Sequence, residues 1–140
     1  MLTLAAAQKI VDVATGHAVE NGFKPMAIGV LDARGALKAF IAQDGTSLKR
    51  AEIALAKAHG AVALGMGSRA LMARAESQGY FIAAATAAIG GSLVPVPGGV
   101  LIKSEGIIIG AVGISGDTSD NDEAAAFAGI RAAGFVADGG

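Results

Sequence analysis

The sequence has no cysteine and no tryptophan, and its aromatic share is only 4%. Without cysteine there is no disulfide, no thiolate nucleophile and no Cys-ligated metal. The two histidines, His17 and His59, lie far apart and bring no close ligand pair, which argues against a zinc site. Charge is sparse too, at 16% of residues with a net charge of −1. No basic run and no interleaving of aromatic with basic residues occurs, so neither nucleic acid nor an acidic membrane surface is expected as a partner. Met1-Leu2-Thr3-Leu4 lacks a basic stretch before its apolar residues, so no secretion signal is expected and a cytoplasmic location is the expectation. Ser77 to Ile102 carries no formal charge, but its glycines and prolines, from Gly90 to Gly99, would break a spanning helix. Core segment plus loop is the reading there.

What the chain has is small apolar residues. Apolar residues make up 53%, glycine adds 21 positions, and the mean hydropathy is +0.56. A length of 140 residues suits one domain, residues 1–140, with one real core. Alanine reaches only a short distance, so such a core needs close approach of helix to sheet. Apolar surface left over in so small a domain marks an interface, and a homo-oligomer is expected.

Thr3 caps a predicted helix to about Asn21, with an apolar stripe of Leu4, Ala7, Ile10, Val11, Ala14 and Ala18, and Gly22 stops it. Met26–Leu31 and Ala36–Gln43 read as strands joined by the turn Asp32-Ala33-Arg34-Gly35. Asp44 to Ser47 offers a cap for a helix over about Leu48–Leu64. Ser68 caps a shorter helix to about Gln78, and Tyr80–Ile89 reads as a further helix before the Gly90–Gly99 loop. Val100–Lys103 and Ile107–Ser115 form a second, apolar hairpin whose strands belong at the sheet centre. Asp120 caps the last predicted helix, with Glu123 in the capping-box position, and Gly134 ends it. Two hairpins among helices imply an α/β chain of α+β type, an antiparallel sheet with helices on its faces.

Gly65-Met66-Gly67-Ser68-Arg69-Ala70 matches the dinucleotide pattern G-x-G-x-x-A, but a helix precedes it and no acid follows about 20 residues on, so it is set aside. The C-terminal half carries the informative glycines. Pro97-Gly98-Gly99-Val100 opens a strand, Gly110 to Gly116 closes the next, and Asp122-Glu123 starts a helix. Glycines at strand ends let a ligand or another backbone approach closely. Together with Val30-Leu31-Asp32, Gly35, Asp44-Gly45 and Ala54 through Lys57-Ala58, these segments resemble the GlcG/HbpS family, the haem-degrading domain family that includes the C-terminal domain of PduO-type proteins. The resemblance spans nearly the whole chain. It implies a profilin-like α/β/α sandwich, oligomeric assembly and, for some members, haem binding. Other members are encoded in catabolic operons. The family often has a second proline where this chain has Leu101.

Lys57 shares a helical face with Arg50, Ile53, Ala54, Ala61 and Leu64. It is either a base or carboxylate anchor with a lowered pKa, or a lysine whose ammonium reaches water. Asp122 and Glu123 are either acid–base groups or first-turn acids suited to the helix dipole. A haem iron held by nitrogen needs a histidine, and His59 on the Lys57 helix is the better candidate than His17. Met66, Met72 and Tyr80 are weaker ones.

Three readings follow. The first is a small-molecule-binding protein of the GlcG/HbpS type, with haem or another tetrapyrrole as ligand and Lys57 or Arg50 meeting a propionate. The second is an enzyme acting on a small carboxylate or carbonyl compound, with Lys57 holding the acid, Gly98 and Gly99 amides receiving oxyanion charge, and Glu123 moving a proton. The third is a structural assembly subunit. The expected site gathers Lys57 and Arg50, Pro97, Gly98 and Gly99, the Gly113, Ser115 and Gly116 strand end, and Asp122 with Glu123. It would favour a carboxylate-bearing ligand.

Overall fold

Helix α1 (Leu4–Glu20) begins as its sequence requires: Thr3 Oγ1 accepts the amide of Ala6 at 3.1 Å, one of the four amides a helix start leaves unpaired. It buries Ala7, Ile10, Val11, Ala14 and Ala18, while Leu4 stays half exposed at 51%. Gly22 follows with φ +65, the left-handed conformation only glycine adopts cheaply. A computed structural model describes all residues from Met1 to Gly140.

Strands β1 (Ala27–Asp32) and β2 (Leu37–Ala42) form the first hairpin, and β3 (Gly99–Ser104) and β4 (Ile107–Ser115) the second. The sheet is antiparallel throughout, in the order β2-β1-β4-β3-β5. The expected central place of the second hairpin holds. The short edge strand β5 (Val136–Asp138) is not foreseen by the sequence pattern; it pairs with Leu101 to Lys103. Between the hairpins lie α2 (Arg50–Leu64), α3 (Ser68–Ser77) and α4 (Gly79–Ala88), and α5 (Ser119–Ala132) precedes β5.

Three helix starts differ from the sequence expectation. The cap of α5 is Thr118, whose Oγ1 accepts the amide of Asn121 at 3.2 Å, so neither Asp120 nor Glu123 serves as a capping box. Helix α3 starts after Gly67, with Ser68 already inside and buried. Helix α2 starts at Lys49 without a side-chain cap. For α3 and α5 a tertiary contact of the nominal cap, described below, replaces the local bond.

The two faces of the sheet are made differently. Met26, Ile28, Val30, Val100, Ile102, Val112 and Ile114 face α1 and α5 in a core of 17 buried residues. Each such side chain contributes about 1.5–3 kcal/mol by leaving water. The opposite face is nearly bare. Gly29, Gly113 and Gly99 stand opposite one another on three neighbouring strands. A Cβ on Gly113 would collide with the Ala54 carbonyl and one on Gly99 with the Lys57 carbonyl, while one on Gly29 would strike the Leu55 side chain. Helix α2 therefore lies directly on the sheet, its alanines Ala58 and Ala61 packed with Leu31, Leu101 and Ala111. The result is an α/β/α sandwich with α1 and α5 on one side and α2 on the other. Leu71, Ile82 and Leu93 form a small satellite core under α3, α4 and the following loop.

Candidate functional site

Seating α2 on the glycine row drives Lys57 into the sandwich. Its side chain is 2% exposed, and Nζ donates to the Ile114 carbonyl at 2.8 Å and to Asp122 Oδ2 at 3.1 Å. Asp122, 1% exposed, sits in the first turn of α5, and its Oδ1 accepts the amide of Asp117 at 2.9 Å. The pair thus pins α2, the end of β4 and α5 together. Burial pulls the Lys57 ammonium below its ordinary value, opposed by the Asp122 charge; burial pushes the Asp122 carboxyl up, opposed by Lys57. No buried side-chain polar atom lacks a partner.

The glycines around this pair are close-approach points. Gly98 has φ +123, its carbonyl accepts the Ile114 amide at 2.9 Å, and a Cβ there would meet Lys57 Nζ at 2.8 Å. The Gly99 amide donates to Ser68 Oγ at 2.7 Å, and Ser68 Oγ donates back to the Gly99 carbonyl at 3.1 Å. Pro97 is buried just ahead of them. A Cβ on Gly116 would strike the Pro25 carbonyl and Met26.

Arg50 stands at the edge of the same assembly. Its Nη1 donates to Ser115 Oγ at 3.0 Å; Ser115 is fully buried and Arg50 half-buried. Arg50 enters no ion pair. Its positive charge also helps to lower Lys57. It is the cation of the group left free to meet an anion from solvent.

Glu123 points elsewhere. Arg69, from the first turn of α3, donates Nε and Nη2 to Glu123 at 3.1 Å each, and Nη2 also reaches Asp120 at 2.6 Å. These two charge-assisted partners raise the Arg69 pKa further above its ordinary value. The structure thus brings Lys57, Asp122, Gly98, Gly99, Gly113, Ser115, Gly116 and Arg50 into one cluster. It turns Glu123 away from Lys57 and toward α3.

His59 lies on another side of α2. Its Nδ1 is 2.8 Å from the Ser92 carbonyl. A carbonyl only accepts, so Nδ1 is the donor, and in the neutral ring that leaves the lone pair on Nε2, the arrangement that metal-ligating histidines show. Nε2 has no protein hydrogen-bond partner, and the ring is half-buried near the Gly35 turn. His17 is also half-buried, edge-on to Phe23 at 5.7 Å. No group of three potential metal ligands gathers anywhere. No helix is long and apolar enough to cross a membrane.

The family described as haem degrading protein, HbpS-like, matches residues 2–131. The chain belongs to that family. Solved structures agree with this HbpS-like chain in fold. A PduOC–haem complex superposes with a TM-score of 0.86 at 24% identity, covering 96% of each chain. The Klebsiella pneumoniae protein ORFY gives 0.85 at 23% identity, over 94% of this chain and 90% of that one. A double mutant of Streptomyces reticuli HbpS gives 0.81 at 26% identity, over 94% and 86%. A search of curated proteins finds no match.

Sequence reasoning gives no site role to three residues of this HbpS-like chain that bond to the expected site residues. Ser68 and Arg69 sit inside the rejected dinucleotide pattern, where Ser68 reads only as a helix cap and Arg69 receives no role. Asp117 accepts the Lys24 amide at 2.7 Å and the Thr118 amide at 2.7 Å, which hold its pKa at about 2. The signal for Arg69 was present, since an arginine opposite two acids invites a fork, but nothing in sequence placed α3 beside α5.

Proposed function

We propose that this HbpS-like chain is a small-molecule-binding protein whose ligand is haem or a related tetrapyrrole, with His59 as the iron ligand. Family membership supports the ligand class, and the PduOC complex shows that a protein of this fold holds haem. The observation that carries the choice of residue is the His59 contact, with Nδ1 2.8 Å from the Ser92 carbonyl and Nε2 without a protein partner. When bound, haem would supply the redox and oxygen chemistry. The chain's own part is to orient the imidazole from behind through Ser92 and to offer the apolar side of α2 around it.

Arg50 serves a carboxylate on a different side. Nine residues along a helix amount to about 13 Å of rise and half a turn, so one macrocycle on one chain does not use both groups. A second reading rests on Arg50 itself: a half-buried guanidinium bound to Ser115, without an acid partner, suits a small carboxylate lying near Pro97 and Gly98. That reading favours capture over catalysis. Lys57 and Asp122 are sealed from solvent and bonded to each other, and Glu123 is occupied by Arg69. Assembly into a homo-oligomer belongs to either reading.

The test is a haemin titration followed in the Soret band. The wild-type chain should give a saturable shift. His59→Ala should alter band position or weaken binding by more than tenfold, while Arg50→Ala leaves the band in place. An unchanged spectrum in His59→Ala would exclude His59 from the iron. Absence of any saturable shift would favour the small-carboxylate reading, which Arg50→Ala then tests.

A further inference from the structure

Ile107 is hard to explain as part of the fold. It begins β4, yet it is 65% exposed, although an isoleucine there has two sides of a sheet on which to pack. Its successors do so: Ile108 packs with the α2-side cluster and Ile109 with the α1-side core. Ile107 instead forms part of the wall of an open hollow of about 490 Å³ at the hairpin end of the sheet. That size falls within the range of small-molecule sites, roughly 300–1,000 Å³. Core residues Leu2 and Ile109, 2% and 8% exposed, also line it, so part of its wall is fixed by the main packing.

Its charges are unequal in availability. Asp32 Oδ1 accepts the amides of Arg34 at 2.9 Å and Ala36 at 3.0 Å, and Oδ2 faces the Arg34 guanidinium at 3.6 Å. The acid is therefore occupied, while Arg34, 85% exposed, keeps only this one long contact and points mainly to solvent. Lys38 also lines the hollow, is half-buried, and enters no ion pair or side-chain hydrogen bond. Apolar walls with a half-buried, unpaired Lys38 and an exposed Arg34 at the rim are complementary to an apolar tail ending in one negative charge.

We propose that this hollow binds a small apolar monocarboxylate, its tail against Leu2, Ile107 and Ile109 and its carboxylate on Lys38. His59 itself does not line the hollow, although its ring stands next to Gly35 in the turn that does. Octanoate is the probe, titrated into 15N-labelled protein. The amides of Ile107, Ile108, Ile109 and Lys38 should shift saturably. Affinity should rise roughly fourfold per methylene from hexanoate to octanoate, the factor that about 0.8 kcal/mol per buried methylene gives. Lys38→Met, which keeps the aliphatic stem, should weaken octanoate on the order of fivefold without affecting octanol. Ile107→Glu, at an exposed position, should abolish binding with the fold intact. Octanol binding as tightly as octanoate, an unchanged Lys38→Met, or no shifts at millimolar octanoate would each overturn the proposal. So would broadening of the same amides with rising protein concentration in the absence of octanoate, which would show a second copy covering the hollow.

Discussion

A lysine among aliphatics at helical spacing has two destinations when its helix lies on a sheet. If the helix rides high on bulky side chains, the ammonium reaches past the rim to water. If the helix sits low, it cannot, and the charge must find a partner inside. The glycine row under α2 selects the second for Lys57, and Asp122 from the opposite helix layer answers it at 3.1 Å. Spacing alone left both open because it does not report how closely helix and sheet approach. The structure places Asp122 beside Lys57 as a buried counter-ion, whereas Asp120 in the same turn is 79% exposed and binds only Arg69. A pair this dry attracts strongly, but removing both charges from water costs about as much. Lys57→Met or Asp122→Leu alone should each lose about 3–5 kcal/mol, because one buried charge remains without its partner. The double variant should lie within about 1 kcal/mol of wild type or above it. Urea denaturation of the four proteins gives the coupling directly. A double variant as unstable as either single would mean that the pair stabilises the fold outright, and one as unstable as the sum of the singles would mean that the two groups act independently.

At the scale of the element, the hydrophobic pattern located nearly every helix and strand, since α1 carries a 3.6-residue apolar stripe and β1 and β4 are short apolar runs bounded by turn residues. It missed β5, three residues long, whose strand state exists only because Leu101 to Lys103 present a free edge. It also could not assign the glycines. A glycine at a strand end serves a ligand or another backbone equally well in sequence, and here Gly99 and Gly113 serve the backbone of α2. The consequence is an asymmetry between glycines. Gly113→Ala and Gly99→Ala place a methyl against a fixed carbonyl and should each cost roughly 3 kcal/mol or more, at the upper end of overpacking. Gly16, inside α1, has nothing within 4 Å of an added Cβ. Gly16→Ala should instead stabilise by about 0.5–1 kcal/mol, as alanine does in a helix interior. Thermal melts of the three variants, with wild type between them, check the ordering. Equal melting temperatures would mean that α2 can lift from the sheet at little cost.

At the scale of the whole molecule, the apolar excess is not absorbed by the chain itself. Helix α4 shows this most clearly. Gly79–Ala88 contains no charged residue, and a helix apolar on all sides is ordinarily surrounded by protein. Yet only Ile82 and Ala85 are buried, facing the satellite core, while Tyr80 is 74% exposed and Ala83, Ala84, Ala87 and Ala88 all face solvent. Charged residues at these positions would cost an isolated chain nothing and would improve its solubility, so their absence points to a covered surface. Small side chains also let a second helix approach closely, and a two-fold axis would set α4 against its own copy, each burying what the other exposes. The expected outcome is more than one chain per particle by light scattering at micromolar concentration. Ala84→Glu should shift the particles toward the 13.7 kDa monomer. The same substitution should leave the circular dichroism spectrum unchanged, because Ala84 supports nothing within its own chain. A wild-type chain that scatters as a clean monomer would remove the idea. An assembly unaffected by Ala84→Glu would move the interface to another face, such as the β2 edge with Leu37 and Phe40, 54% and 36% exposed.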